Sequence, residues 1–270
     1  TELLEKIASG DITVALAIDE KKHHSPTHTS MFAELKDDAY ILNGTKCSVV
    51  DGSTADKLIV VTRTSGDPGD MKGISLFIVD SMSEGISVER TQMVDGHNSA
   101  IITFNDVSVG QDRLLGAQDR GFRSLSAALD IANIHLAAEL LGIAQESFDR
   151  TLKYMKERKQ FGAFIGSFQS LQHRAAHWWS EIELCKSLVL KALQALDEGD
   201  ERTPALASIA KAKLSEIAEL STNEAIQLHG GIGMTDEYEI GFFIKRARPA
   251  QMLFGDYNYH ADRYALICGY

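Results

Sequence analysis

The sequence has little that would mark a secreted, metal-binding or membrane protein. Its 270 residues include three cysteines, Cys47, Cys185 and Cys268, whose spacings fit neither a zinc site nor a disulfide framework. We therefore expect plain thiols, no metal and a cytoplasmic location. No apolar run approaches the ~20 residues of a membrane span, so no membrane partner is predicted. The formal net charge of −11 argues against a nucleic-acid partner.

The chain also lacks an initiator methionine, and its first ten residues lack the basic start and the cleavage site of a signal peptide. We expect it to be the C-terminal part of a longer protein. Its composition, 44% apolar and 24% charged, is that of an ordinary globular protein. A chain of 270 residues is long enough for one large domain or two ordinary ones.

Short apolar runs separated by turn signals fill residues 1–115. Val14, Leu16 and Ile18 alternate with smaller or polar residues, which is typical of a half-buried strand. Asn43-Gly44 predicts a tight hairpin turn. Further β-rich runs lie at residues 58–62, 74–79, 86–89 and 100–107. Runs this short, at this spacing, predict a small β-sandwich or barrel domain.

Residues 116–270 have a helical period instead. Apolar residues from Leu125 to Phe148 recur mostly at steps of three and four, which predicts a helix of about nine turns. Further helices are predicted at 167–196, from Thr203 as N-cap, and at 240–266. Four long helices with short links predict an up-and-down four-helix bundle. The predicted fold class is therefore α+β and multi-domain: a β domain followed by a helical bundle.

Several strings carry a resemblance to one family. Residues 158–162 read R-K-Q-F-G, followed by Phe168-Gln169, and residues 227–233 read Q-L-H-G-G-I-G. Asn43-Gly44-Thr45-Lys46 and residues 104–107, F-N-D-V, complete the set. In this order, over nearly the whole chain, they resemble the middle and C-terminal parts of an acyl-CoA dehydrogenase. The N-terminal helical domain of that family is absent from this sequence.

The resemblance implies FAD as cofactor and assigns residues to it. The family binds FAD extended between subunits, and the diphosphate elements of one subunit serve the flavin of its neighbour. Fixed positive charge and close backbone approach suit a diphosphate. By resemblance, the cofactor-binding residues are Arg158, Phe161, Phe168, Gln169, Gln227, Gly230 and Gly231. The alternatives are a solvated cation at Arg158 and a tight interhelical turn at the two glycines.

The catalytic positions depart from the family pattern. Its reaction needs a carboxylate to remove the substrate's α-proton, but alignment places Phe254 where that glutamate usually lies. Ala132 occupies the alternative glutamate position on the first bundle helix. Asp256 is the nearest carboxylate, either as a base from a shifted geometry or as a helix cap. Because Asp256 and His260 are four residues apart, we expect a hydrogen-bonded pair on one helical face.

Two segments that face the flavin in the family are also different here. Residues 19–26 replace a T-E-P-G-A-G-S-D loop, and residues 48–50 replace a W-I-T run. His23, His24 and His28 have no ligand partners at convincing spacing, so a solvated loop is expected. The basic run Lys245, Arg246 and Arg248 suits either CoA phosphates or a charged helix face.

The resemblance therefore implies a subunit of an FAD-dependent acyl-CoA dehydrogenase that catalyses α,β-desaturation. One alternative is a catalytically silent chain that completes the FAD site of a glutamate-bearing chain. Another is a flavin monooxygenase or oxidase of the same fold. The expected partners are an acyl-CoA substrate and a homo- or hetero-oligomer with another acyl-CoA dehydrogenase chain. Heteromeric members of the family act on steroid side chains and other bulky acyl groups, as in fatty-acid or steroid side-chain degradation.

Overall fold

A computed structural model describes residues 2–270 and divides into two compact units, one ending at Ser126 and the other beginning at Ala127. The first unit opens with a short helix, α1 (Glu2–Ser9), and continues as seven strands. The strands are β1 (Val14–Ala17), β2 (Phe32–Lys36), β3 (Ala39–Val50), β4 (Lys57–Arg63), β5 (Ile74–Asp80), β6 (Ile86–Gln92) and β7 (Asn98–Gly110). All seven pair into one sheet in the order β1-β4-β2-β3-β7-β6, with β5 paired to β4. The β-rich runs identified from the sequence are therefore confirmed as strands.

The smaller residues of the alternation in β1 point into the core. Ala15 and Ala17 are buried, whereas Val14 and Leu16 are only half-buried. The strand pairs in parallel with β4, whose Leu58 and Val60 are fully buried. Small side chains face the packed interior here, so the larger apolar residues of the alternation do not mark the core.

The hairpin predicted at Asn43-Gly44 is wrong. Both residues lie inside the continuous strand β3, where the pairing with β7 shifts register between Leu42 and Gly44. The side chain of Asn43 bonds to Asp106 twice, accepting from its amide at 2.8 Å and donating to its carboxylate at 3.0 Å. A Cβ on Gly44 would lie 2.7 Å from Cγ of Met31. Glycine is needed here for close packing at a bulge rather than for a turn.

The second unit is helical. It contains most of α2 (Gly121–Glu157), then α3 (Gln169–Glu198), α4 (Thr203–His229), α5 (Ile240–Met252) and α6 (Tyr257–Cys268). Trp178 of α3 is 1% exposed, meets Phe148 of α2 edge-on at 5.0 Å and donates to Ser221 of α4 at 2.7 Å. This one side chain thus joins three helices in a common core.

Two helix predictions differ in detail from the structure. The helix predicted over 240–266 is two helices, α5 and α6, separated by a turn at residues 253–256. Thr203 does not cap α4, since its hydroxyl donates to the carbonyls of Ala195 and Asp200 at 3.1 and 2.6 Å. Pro204 does lie in the first turn, as predicted.

Within residues 2–270, α2 is the one helix whose length and apolar composition would suit a membrane span. Half of its most apolar window is buried inside the fold, as in the core helix of a globular domain.

Candidate functional site

Arg158 lies at the junction between α2 and a small hairpin. Its amide donates to the carbonyl of Tyr154 at 2.8 Å, and its carbonyl accepts from the amide of Ile165 at 2.8 Å. Strands β8 (Lys159–Gln160) and β9 (Ala163–Phe164) follow, with a two-residue turn at Phe161 and Gly162. Both turn residues have positive φ, 52° and 77°, as two-residue hairpin turns require. The R-x-x-F-G string therefore encodes a rigid hairpin that projects from the end of α2.

Two aromatic residues of this segment differ in their environment. Phe161 is 94% exposed and touches only the edge of Phe168, with the ring centroids 6.4 Å apart. Phe168 is half-buried against the core of the bundle, just before α3. Gln169 is the exposed first residue of α3. Phe161 and Gln169 are thus available to a ligand, whereas Phe168 mainly packs.

The second motif lies at the end of α4. Gln227 is exposed, and Gly230 adopts φ 66° and ψ −142°, a conformation open essentially to glycine alone. The amide of Gly230 already donates to the carbonyls of Gln227 and Ile226 as the helix cap. A Cβ added at Gly230 or Gly231 would meet no atom within 4 Å. These glycines thus provide open space and a sharp turn, while the amide of Gly230 is engaged within the chain.

A stack of two rings joins these motifs. The rings of Tyr154 on α2 and His229, the last residue of α4, lie 4.3 Å apart and 28° from parallel. The Tyr154 hydroxyl donates to the His229 carbonyl at 3.3 Å. Burial lowers the pKa of His229 below its ordinary value. The end of α2, which leads to Arg158, is thereby fixed against the residue that precedes Gly230.

The donor set suits a diphosphate group such as that of FAD. Arg158, Phe161, Gln227 and both glycines are exposed, and within residues 2–270 no carboxylate pairs with the Arg158 guanidinium. A free guanidinium supplies fixed positive charge and directed donors. The open turn beside it lets a ligand approach the backbone. The residues present therefore fit the cofactor that the sequence motifs imply.

Neither position of the expected catalytic acid carries a titratable group. Phe254 lies in the turn between α5 and α6 with a positive φ of 56° and is half-buried against the core. Its carbonyl lies 3.0 Å from Nε2 of His260 and 3.5 Å from the side-chain nitrogen Nδ2 of Asn133. Ala132 is half-buried on α2. The turn is firmly held, but the side chain that it presents cannot take a proton.

A buried lysine, which the sequence reading did not identify, holds the same turn. Nζ of Lys211 on α4 donates to the carbonyls of Gln251, Leu253 and Gly255 at 3.0, 3.0 and 2.9 Å. The side chain is fully buried, and burial lowers the pKa of Lys211 to about 7. The three ammonium protons match the three carbonyls, of which one lies in the last turn of α5 and two lie just after it. Lys211 thus sets the backbone path on which residue 254 lies.

Asp256 caps α6 in the structure. Its Oδ1 accepts from the amide of Tyr259 at 2.9 Å, and its backbone is extended, as an N-cap residue requires. Nε2 of His260, the residue expected to pair with Asp256, lies 3.0 Å from the carbonyl of Phe254. A structural role accounts for the carboxylate of Asp256.

The basic run is neutralised within the chain. Arg246 donates to both carboxylate oxygens of Glu139, with the longer contact at 3.1 Å. Nζ of Lys245 lies 3.3 Å from Oδ1 of Asp236. Nη1 of Arg248 lies 3.1 Å from Oε1 of Glu219. These pairings indicate a charged helix face rather than a binding site for CoA phosphates.

The segment that replaces a family loop in the β unit is ordered by buried charge. Glu20 accepts from the fully buried Lys46 at 2.9 Å and from the amides of Ser30 and Met31 at 2.9 Å each. Asp19 holds Nδ1 of His24 at 2.9 Å, and the His24 side chain is only 4% exposed. The solvated loop expected here is wrong for His24. Across residues 2–270, no cluster of side chains suited to a metal ion is present.

Sequence reasoning found the exposed motif residues and missed the ones that position them. Tyr154 gave no signal beyond an aromatic on a helix, while His229 stood unassigned inside the quoted Q-L-H-G-G string. Lys211 interrupts the apolar stripe of α4 between Ala210 and Leu214. A lysine on an apolar stripe is the signal that could have identified it.

Comparison with known proteins covers both units. The profile of the acyl-CoA dehydrogenase C-terminal domain matches residues 119–265, and that of the middle domain matches residues 15–107. The short/branched chain specific acyl-CoA dehydrogenase of Bos taurus mitochondria is 33% identical over 229 residues, which is 84% of this chain and 52% of the relative. The caffeyl-CoA reductase-Etf complex subunit CarC of Acetobacterium woodii is 34% identical, covering 88% of this chain and 63% of its own.

Among solved structures, butyryl-CoA dehydrogenase from Megasphaera elsdenii superposes with a TM-score of 0.92 at 28% identity. The superposition covers 100% of this chain and 71% of the butyryl-CoA dehydrogenase chain. By contrast, the chain spans about half the length of the bovine relative and less than two thirds of the bacterial one.

Proposed function

The chain belongs to the acyl-CoA dehydrogenase family, and from this we propose that it is a subunit of an FAD-dependent enzyme that introduces an α,β double bond into an acyl-CoA thioester. Bound FAD supplies the hydride acceptor. The chain's own contribution is to hold the cofactor's diphosphate with Arg158 and the open turn at Gly230 and Gly231. The location that we propose for this subunit is the cytoplasm.

One observation carries the proposal. The guanidinium of Arg158, which has no carboxylate partner among residues 2–270, lies on an element that the Tyr154–His229 stack ties to the glycine turn. By contrast, Arg246 of the same bundle pairs with Glu139. An unpaired guanidinium on a rigid hairpin suits an external anion.

A second reading describes this chain within such an enzyme. Phe254 and Ala132 occupy the two expected acid positions, and the carboxylate of Asp256 is engaged as a helix cap. We therefore propose that the proton is removed by a carboxylate of another acyl-CoA dehydrogenase chain, whose flavin this chain helps to bind. This proposal implies a hetero-oligomer. If the chain instead had a catalytic base of its own, a homo-oligomer would suffice.

Flavin retention tests the proposal. We expect Arg158→Ala to lower the FAD content of the purified protein about tenfold or more, because loss of one charged hydrogen-bonding partner removes about 1.5–3 kcal/mol. Lys156→Ala is the matched control, since Lys156 is an exposed cation at the end of the same helix. Equal flavin content in both variants would contradict the proposal. Oxygen consumption by bound flavin without acyl-CoA affinity would instead favour a monooxygenase or oxidase.

A further inference from the structure

The ring of His229 is held in one protonation state. Its Nδ1 lies 2.7 Å from the carbonyl of Ala225, so Nδ1 carries the proton and Nε2 is left as an acceptor. The residue is 4% exposed, and Nε2 has no hydrogen-bond partner within residues 2–270. Burial lowers the pKa of His229, so the imidazole is neutral at pH 7. A second proton on Nε2 would place an unpaired charge in the interior.

Two aromatic rings from neighbouring elements lie against the ring of His229. Tyr154 of α2 stacks on it, and the ring of Tyr238, before α5, has its centroid 5.0 Å away. Lys153 and Glu237, the charged residues next to the two tyrosines in sequence, are exposed, and Arg150 and Glu239 pair with each other. The ring contacts of His229 are therefore with uncharged aromatic groups, which suits close ring packing.

The stack of Tyr154 and His229 connects the two motifs of the proposed cofactor site. The carbonyl of Tyr154 receives the amide of Arg158, and the Tyr154 hydroxyl donates to the carbonyl of His229, next to Gly230. Each motif of the proposed cofactor site is thus one residue or one hydrogen bond from the stack. A shift of either ring would displace one motif relative to the other.

We propose that Tyr154 and His229 are positioning residues for FAD, which hold the Arg158 hairpin and the Gly230–Gly231 turn at the separation that a diphosphate bridges. This inference rests on the function proposed above and adds two buried residues to the exposed ones. Neither residue touches the cofactor in this proposal. Their effect comes through the geometry of the exposed groups, as supporting residues commonly act.

The test measures FAD affinity and its pH dependence. The protein, in the oligomeric state in which it is purified, is stripped of flavin and titrated with FAD at several pH values. His229→Ala removes the stack, His229→Phe keeps a ring but cannot be protonated, and Tyr154→Phe keeps the stack without the hydroxyl. Arg158→Ala reports on the proposed function itself.

We expect His229→Ala to bind FAD about tenfold more weakly, and His229→Phe to retain most of the affinity. Wild-type affinity falls as the pH drops below the range in which His229 is neutral, and this acid limb disappears in His229→Phe. Tyr154→Phe weakens binding by a smaller factor.

The outcomes separate the two proposals. If Arg158→Ala loses FAD while His229→Ala binds it like the wild type, the positioning role is wrong and the function stands. If His229→Ala does not fold, an acid limb that persists unchanged in His229→Phe overturns the positioning role. A wild-type protein that takes up no FAD in any oligomeric state overturns both.

Discussion

Lys211 is a polar residue whose loss we expect to be costly. Its side chain is fully buried and satisfies three carbonyls at the end of α5. Lys211→Met leaves these carbonyls without donors, and each orphaned buried group costs about 1–3 kcal/mol. We therefore predict a loss of about 3 kcal/mol or more in the free energy of unfolding, measured by urea denaturation.

The matched control is two residues away. Lys213 on the same helix is partly exposed and pairs with Glu181 and Glu216 near the surface. Lys213→Met is expected to cost less than about 1 kcal/mol, as surface ion pairs do. Similar losses in both variants would contradict the role assigned to Lys211.

His229 gives a prediction about pH. Burial lowers the pKa of the folded state below the ordinary value near 6.5 that the unfolded chain has. As the pH falls below about 6.5, the unfolded chain takes up a proton that the fold refuses, so stability decreases by up to about 1.4 kcal/mol per pH unit. The contribution is fully present above that pH. Urea unfolding at several pH values should show a shallower acid slope for His229→Phe than for the wild type.

At the scale of elements, two glycines illustrate opposite demands of the fold. Gly142 lies on the exposed surface in the middle of α2, where an added Cβ meets no atom within 4 Å. Gly142→Ala should therefore stabilise the protein by about 0.5–1 kcal/mol through helix propensity. Gly44 packs against Met31 at the bulge of β3, and Gly44→Ala should destabilise by about 1–3 kcal/mol because of overpacking. Thermal unfolding of the two variants measures both, and a shift of the same sign in each would refute this distinction.

The same elements show what sequence periodicity predicts and what it does not. The helical stripe from Leu125 to Phe148 located α2, and the spacing of the β-rich runs located the strands. Asn43-Gly44 misled because the dipeptide also suits a bulge, and only a long-range neighbour such as Met31 distinguishes the two. At the break in the last predicted helix, three carbonyls bond to Lys211, which is distant in sequence.

Some residues of the candidate site can be predicted from the sequence, and others only from the structure. Exposed motif residues such as Arg158 and Gly230 are readable, because short strings and a glycine-only conformation fix them locally. Their buried supports, Tyr154 and His229, are 75 residues apart in sequence, and only the folded structure brings them together. The exclusion of Phe254 and Ala132 as acids was readable from residue identity alone, whereas the capping role of Asp256 required the backbone geometry of the turn.

At the scale of the whole molecule, we distinguish cofactor binding from proton removal. The bundle presents an unpaired guanidinium and an open glycine turn for FAD, yet the expected acid positions carry a phenyl ring and a methyl group. We therefore proposed above that another chain supplies the carboxylate. Flavin content and dehydrogenation should therefore respond differently to the addition of a glutamate-bearing chain.

The most direct measurement is the anaerobic visible spectrum of the flavin as an acyl-CoA is added, first to the protein purified alone and then to its complex with a glutamate-bearing acyl-CoA dehydrogenase chain. We predict no bleaching with the protein alone. In the complex we predict bleaching of stoichiometric flavin, and the Arg158→Ala substitution should diminish this bleaching. Flavin in the lone protein that is bleached by acyl-CoA would contradict the proposal, because the chain would then contain a complete active site with a base of its own.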